Sequence, residues 1–292
     1  MITRIATGVG LASAILALPI QAAAQGQTDA LLAADRAASE LSSDSGIARS
    51  LARNLEPGGV LLWPGAPVVV GAAEAGRLLE TMRAQDSIRL TWQPLSLRLA
   101  RDSSLGVTWG IAAVTSRDAP SPPQLGRYIA AWKRQPQRWT LDAILFVAVK
   151  PPASPRPQAM PLTRSPASPT GPAAAFVKAD LAFARLAGDS GAAAAFRHWA
   201  AAEAMVFGEH ALLRRGPTEI GRGVEGPASW RWHPVAAGAA AGGDLGWTVG
   251  EALIKPAEGE PVYSKYLTIW VRRSDGSVRF LTDGGNSRPA TP

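Results

Sequence analysis

Cysteine is absent from the chain, and histidine and tyrosine are scarce, with three of each. Without thiols, the sequence excludes disulfides, thiolate metal sites, a cysteine nucleophile and a lipoprotein anchor, which needs a cysteine at its cleavage point. A glycine-rich phosphate loop, a Gly-x-Ser-x-Gly motif and a pair of histidines at metal-ligand spacing are also missing from the sequence. We therefore expect neither a metal nor a cofactor.

Lysine is scarce as well. Most of the 30 basic residues are arginine, and the formal net charge is +7. These arginines are scattered singly, and no basic stripe with interleaved aromatic residues occurs. The pattern therefore predicts no nucleic-acid partner. Hydrophobic residues make up 47% of the 292 residues, which is enough for globular cores and favours two domains.

The N-terminus has the three parts of a secretory signal peptide. Met1–Arg4 is basic, residues 5–20 are apolar, and Ala22–Ala24 forms a small-x-small cleavage pattern. The alternative is an uncleaved anchor helix, but the apolar run is shorter than the ~20 residues that span a bilayer and contains Pro19. We predict a signal peptide over residues 1–24, a periplasmic or secreted mature protein, and no stable membrane insertion after cleavage.

A proline-rich segment, residues 150–171, divides the remaining chain into residues 28–149 and residues 172–288. Each half shows the order helix, helix, two short strands, helix and four antiparallel strands, which indicates an α+β fold. In each half the alternation of apolar residues also flips parity within one strand, at Gln93-Pro94 and at His233-Pro234. A flip of this kind predicts a β-bulge or sharp bend.

Matching residues recur in the same order in the two halves. Asp35 and Asp180 are 145 positions apart, Trp92 and Trp232 are 140 apart, and Tyr128 and Tyr266 are 138 apart. Small deletions in the loops of a duplicated domain would produce this drift. The sequence therefore predicts a tandem repeat, with the proline-rich segment as the linker between the copies.

The strand Gly126–Arg134 and the segment Ser264–Trp270 resemble the Gly-x-Tyr…Trp-Arg-Arg strand of the NTF2-like superfamily, in its SnoaL-like and DUF4440 branch. The resemblance implies two tandem cones, each a bent, mainly antiparallel sheet packed against about three helices, with a pocket on the concave side. Members of the superfamily include isomerases, cyclases, dehydratases, ligand binders and dimerisation modules, so the fold does not decide the activity.

The candidate site residues follow from the strand that we expect to face the pocket. Its apolar stripe is Leu105, Val107, Trp109 and Ile111 in the first half, and Glu251 replaces the isoleucine in the second. A carboxylate in an apolar pocket suits a general base, with His198, Tyr263 or Tyr266 as hydrogen-bond donors. The alternatives are that Glu251 lies near the open rim or pairs with an arginine or lysine, and that His198 is structural or exposed.

The aromatic residues of the second half could line a pocket for a flat apolar ligand, or they could be core. The predicted ligand-binding set is Trp199, Phe207, Trp232, Trp247, Tyr263 and Tyr266. The first half has few polar residues at the positions taken as inward, which indicates a copy that stabilises or docks.

Two functions follow from these patterns. The favoured one is an exported non-enzymatic protein that binds an apolar small molecule in its second cone, with the two domains forming an intramolecular pseudo-dimer or the chain a homodimer. The alternative is an enzyme similar to SnoaL or ketosteroid isomerase, acting as an isomerase, dehydratase or hydrolase through Glu251 and His198.

Overall fold

The computed structural model describes residues 12–81, 88–116, 122–148, 173–209 and 211–290, with side chains from residue 25 onward. The first half contains α1 (Ala12–Ser45), α2 (Ile47–Asn54), β1 (Leu55–Leu62), β2 (Val68–Val70), α3 (Ala72–Thr81), β3 (Ile88–Leu99), β4 (Leu105–Ser116), β5 (Gln124–Arg134) and β6 (Trp139–Ala148). The second half contains α4 (Ala174–Ser190), α5 (Ala192–Trp199), β7 (Ala200–Gly208), β8 (Arg214–Arg215), α6 (Gly216–Gly223), β9 (Ser229–Ala239), β10 (Leu245–Lys255), β11 (Val262–Arg272) and β12 (Val278–Ser287).

Each half forms a six-stranded mixed sheet with its helices on one face. The strand orders β2-β1-β6-β5-β4-β3 and β8-β7-β12-β11-β10-β9 are the same arrangement repeated. In each sheet the first strand pairs in parallel with the last, and the other pairs are antiparallel. The predicted α+β fold class, with two tandem cones, is confirmed.

The predicted bulges are also confirmed. The β3–β4 pairing shifts register between Pro94 and Ser96, and the β9–β10 pairing shifts between Val249 and Gly250. Proline cannot donate a ladder hydrogen bond, so a bulge is where a strand tolerates it. These bends curve each sheet around its helices.

Two further features shape the first half. Helix α1 starts at Ala12 and runs unbroken for 34 residues. Pro57-Gly58-Gly59 lies inside β1, where the pairing with β6 shifts register. Residues 149–172, which include the whole predicted linker, lie outside the described residues. Among those described, no helix is both long and apolar enough to cross a membrane.

A buried aspartate joins the first helix of each half to its sheet. Asp35 on α1 accepts hydrogen bonds from Trp92 Nε1 (2.6 Å) and Tyr128 Oη (2.7 Å). Asp180 on α4 accepts the corresponding bonds from Trp232 Nε1 and Tyr266 Oη, both at 3.0 Å. Burial raises the pKa of both carboxyl groups to about 6, although these hydrogen bonds act in the opposite direction.

The two sheets pack against each other through the faces that do not carry helices. One continuous apolar cluster contains Val107, Trp109 and Leu145 from the first sheet together with Trp247 and Ile269 from the second. Both faces of each central strand are therefore buried, one against helices and one against the other sheet.

Gly284 on β12 permits this close approach of the sheets. A Cβ atom at Gly284 would lie 2.7 Å from Leu145 Cδ2 and 3.0 Å from Ile129 Cδ1, both in the first sheet. A side chain on this residue would therefore displace Leu145 and Ile129 at the contact between the sheets.

Hydrogen bonds at one end of this contact relate the two halves by an approximate two-fold. The Arg101 N–H donates to Asp244 Oδ2 (3.0 Å), and the Ala241 N–H donates to Ser104 Oγ (2.9 Å). In the repeat, Arg101 corresponds to Ala241 and Ser104 corresponds to Asp244. Each half therefore donates from the first of these positions and accepts at the second. This reciprocity is typical of a symmetric dimer interface.

Asn286 adds a contact with no counterpart across that two-fold. It lies on β12, and its Nδ2 donates to two carbonyl oxygens of the first domain, Leu62 O at 3.0 Å and Phe146 O at 2.8 Å. The side chain is buried, so these bonds form in a medium where unpaired carbonyls are costly.

Candidate functional site

The second cone contains a cavity of about 450 Å³ between its sheet and α4–α6. Most of the wall is apolar, and its aromatic and aliphatic residues include Phe183, Phe196, Ile220, Trp230, Trp232 and Ile254. The polar residues on its wall are Glu209, Arg214, Ser264, Tyr266, Thr268, Asp283, Asn286 and Ser287. A largely apolar wall with a few polar groups is typical of a small-molecule site.

Two glycines open this cavity where the first cone has aromatic rings. Gly285 pairs with Tyr266 as Phe146 pairs with Tyr128, so the two residues occupy the same place in the repeat. Gly208 pairs with Gly285 at the end of β7. The residue at the equivalent place in the first half is Trp63.

The two large rings fill the first cone. Trp63 and Phe146 meet edge to face at 5.8 Å between centroids, and Phe146 lies 5.4 Å from Trp92. All three side chains belong to the helix-facing core of the first domain. The duplication therefore supplies an internal reference, because among the described residues the same positions hold packed rings in one copy and border a cavity in the other.

Polar residues replace apolar ones at two further cavity positions. Asp283 occupies the position of Ile144, and Thr268 occupies that of Ala130, as the matching pairs Ala130–Ile144 and Thr268–Asp283 show. Thr268 Oγ1 donates a short hydrogen bond to Asp283 Oδ2. Burial raises the pKa of Asp283 to about 7, with a smaller contribution from Asp180, and the Thr268 bond opposes the rise.

Comparison of the copies separates structural polar groups from candidate site groups. Asp180, Tyr266 and Trp232 have exact counterparts in the filled first cone, so a ligand is not needed to explain them. Asp283 has no polar counterpart there. Burying a carboxyl group is costly, and the first cone shows that the fold does not need one at this position. Asp283 is therefore the stronger candidate for a role in binding or chemistry.

Three of the predicted ligand-binding residues border the cavity. Trp232 and Tyr266 do so from β9 and β11, while they also hold Asp180. Phe207 borders it from β7, although most of its ring lies in the cluster between the sheets.

Glu251 lies outside the cavity lining, contrary to the expectation from the apolar stripe. Its carboxylate forms an ion pair with Arg288 at 3.2 Å, which is the alternative that the sequence left open. On β10 the cavity is lined by Ala252 and Ile254, so Glu251 is on the opposite face of the strand. The stripe faces the other sheet, and the prediction for Glu251 is wrong because alternation shows which residues share a face and not what covers it.

Glu251 instead belongs to a buried charge cluster on the face opposite the cavity. It is opposite Lys265 on β11, and the Lys265 side chain is fully buried. Lys265 Nζ donates to Ser287 O at 2.7 Å. Burial lowers the pKa of Lys265 to about 7, and the nearby carboxylates of Glu209 and Glu251 oppose that shift.

Trp247 and Tyr263 also lie outside the cavity lining. Trp247 Nε1 donates to Asp142 Oδ2 of the first domain at 2.9 Å, so this ring belongs to the contact between the sheets. The Tyr263 ring packs under the Arg288 guanidinium at 5.3 Å.

His198 and Trp199 are at the end of α5, and neither lines the cavity. His198 is exposed and packs edge to face on Trp199. Arg279 stacks over the Trp199 ring at 5.9 Å. The structure therefore does not bring His198 and Glu251 together as an acid–base pair. In the described part of the chain, no three His, Asp or Glu side chains are placed to hold a metal ion.

The solved structures that match include NTF2-like proteins. Both halves resemble that fold. An NTF2-like protein of unknown function from Pseudomonas putida KT2440 is 14% identical, with 39% of this chain and 84% of that chain covered and a TM-score of 0.33. A ketosteroid isomerase-like protein from Erwinia carotovora atroseptica SCRI1043 is 12% identical, with 40% and 96% covered and a TM-score of 0.34. No family model and no curated protein sequence matches the chain.

The sequence contained one signal for the residues that were missed. Asp283-Gly284-Gly285 lies inside a strand, and glycine within a strand often marks a close approach of backbone, side chain or ligand. Both roles occur here, since Gly284 admits the other sheet and Gly285 opens the cavity. No sequence pattern marked Arg214, whose position depends on the pairing of the two-residue strand β8 with β7.

Proposed function

We propose that this protein is an exported, non-enzymatic binder of an apolar small molecule, which it holds in the cavity of its second domain. The observation that carries the proposal is the contrast between the copies. Five cavity positions that are apolar in the filled first cone carry glycine or polar residues in the open second cone: Gly208, Arg214, Thr268, Asp283 and Gly285.

The first domain, in this proposal, is a built-in dimer partner. Its sheet covers the face of the second sheet that would otherwise expose Trp247, Ile269 and other apolar residues. The reciprocal hydrogen bonds of the two halves support an intramolecular pseudo-dimer over a homodimer, because they already satisfy that interface within one chain.

Binding can be measured with the neutral fluorescent probe N-phenyl-1-naphthylamine, which brightens in apolar surroundings. We expect saturable binding at one site per chain, with a dissociation constant on the order of 1–10 μM, because the cavity is apolar but a ligand must also lose its free motion. A linear, non-saturating rise in fluorescence would contradict the proposal.

Export can be tested by the mass of the mature protein recovered from the periplasm or the medium. We expect its N-terminus at Gln25, because cleavage after Ala24 leaves intact the part of α1 that packs on the sheet, which includes Leu31, Asp35 and Ala38. Recovery of the chain in the cytoplasm with Met1 retained would contradict export.

An enzyme with an acid–base carboxylate in the second domain is the second candidate. The observation that favours it is Asp283, whose pKa of about 7 suits proton transfer near neutral pH and which borders the cavity. Asp283 takes the place of Glu251 in this candidate. It requires the Asp283 carboxyl to titrate near pH 7, so it fails if Asp283→Asn leaves the pH dependence of stability unchanged.

A further inference from the structure

Arg214 is a cavity residue whose charge has no partner among the residues that the structure describes. Its position on β8 is opposite Val206, another cavity residue, so the two side chains share the concave face of the sheet. Within the described ranges, no carboxylate lies within 4 Å of its guanidinium, whereas Arg197, Arg222, Arg273 and Arg288 each have one.

The chain makes room for this side chain at Gly223. A Cβ atom at Gly223 would lie 2.3 Å from Arg214 Cδ and 2.4 Å from Arg214 Nε. The absence of a side chain at the end of α6 therefore lets Arg214 lie close against the helix, beside the cavity.

The other charged residues of the wall do not balance Arg214. Glu209 Oε2 accepts the Ser287 N–H at 2.8 Å, and Glu209 lies close enough to the buried Lys265 to oppose its deprotonation. Asp283 is held by Thr268 and is neutral in part of the population at pH 7.

The first domain shows what the fold requires at this place. Leu61 pairs with Val69 there as Val206 pairs with Arg214, so the residue that corresponds to Arg214 is Val69. Val69 is buried in the filled core of the first cone. A guanidinium at this position is therefore not needed for folding, and it appears only in the copy that has a cavity.

We infer that the ligand is an amphipathic organic acid, whose apolar body occupies the cavity and whose carboxylate or similar oxyanion binds Arg214. The inference rests on the proposed binding function and narrows it to one chemical class. A planar guanidinium binds a carboxylate through two parallel hydrogen bonds, and this pairing is stronger beside an apolar wall than in bulk water.

A matched pair of probes tests the inference. 8-Anilino-1-naphthalenesulfonate has the ring systems of N-phenyl-1-naphthylamine with one added sulfonate. We expect Arg214→Gln to weaken binding of the sulfonate probe roughly tenfold and to change binding of the neutral probe less than about twofold. Arg231→Gln is the matched control, because it removes the same charge from the exposed face of β9.

A second variant moves the guanidinium without removing it. In Gly223→Ala the new Cβ would displace Arg214, so the sulfonate probe should again bind more weakly while the neutral probe is retained. Unchanged sulfonate affinity in Arg214→Gln, or equal losses for both probes, would overturn the inference and leave the apolar cavity as the binding site. Failure of the wild-type chain to bind either probe would instead overturn the proposed function.

Discussion

Gly208→Trp is expected to weaken binding of N-phenyl-1-naphthylamine roughly 100-fold or more, because it restores the ring that fills the first cone. The added Cβ would contact only Ala211 Cβ, at an ordinary 3.6 Å, so the backbone accepts the change. In the first domain the corresponding Trp63 packs against Phe146. In the second domain the new indole has only the cavity to enter.

The control for this variant is Gly188→Trp. Gly188 lies on the exposed side of α4, and a Cβ there would meet nothing within 4 Å, so the same residue is added away from the cavity. Both variants should keep the far-ultraviolet circular dichroism of the wild type. Retained probe binding by a folded Gly208→Trp variant would show that the ligand site lies elsewhere.

Asp283→Asn is expected to stabilise the protein at pH 8 and to leave its stability at pH 4 nearly unchanged. The folded-state pKa of Asp283 is raised from 3.8 to about 7, so the native state holds its proton more tightly than the unfolded chain does. Its contribution to the free energy of unfolding is therefore complete below about pH 4 and is lost as the pH rises to about 7.

The amide removes this loss because it does not ionise. A shift of this size corresponds to roughly 4 kcal/mol, of which we expect about 2–4 kcal/mol to appear at pH 8, since the new NH₂ group also needs a hydrogen-bond partner. Urea denaturation of both proteins from pH 4 to pH 8 measures the difference. Asp35 and Asp180 remain in both chains, so their own decline between about pH 4 and pH 6 cancels.

Asp275→Asn is the control of opposite sign. The pKa of Asp275 is lowered by hydrogen bonds from Ser277, so its ionised form is the stabilised one and the amide should bring no gain at pH 8. Parallel pH curves for wild type and Asp283→Asn would contradict the raised pKa and, with it, the acid–base candidate.

The fold could be predicted from the sequence because its signals are local and appear twice. The bulges at Gln93-Pro94 and His233-Pro234 depend on proline and on a change of parity within one strand. The repeat of Asp35 as Asp180, with their tryptophan and tyrosine partners, marks the same helix-to-sheet joint in each half. Such signals need only the spacing of residues along the chain.

The candidate site was harder to predict because its location depends on which face of each strand packs against helices and which packs against the other sheet. Leu105 to Ile111 and Leu245 to Glu251 were grouped correctly as one face of each strand. Both faces of these strands are buried, however, so hydrophobicity could not tell the face against helices from the face against the other sheet. Glu251 was assigned to the cavity for this reason.

By itself, the sequence determined the duplication and the α+β class, and it marked as repeated the residues that the structure shows to hold each helix to its sheet. Tertiary structure alone decided that one cone is filled and the other open, because a cavity is the space left by side chains from several strands and helices. Asp283, Thr268, Gly208, Gly285 and Arg214 come from four strands and meet only when β7, β8, β11 and β12 are paired. Their chemistry is therefore a property of the folded second domain.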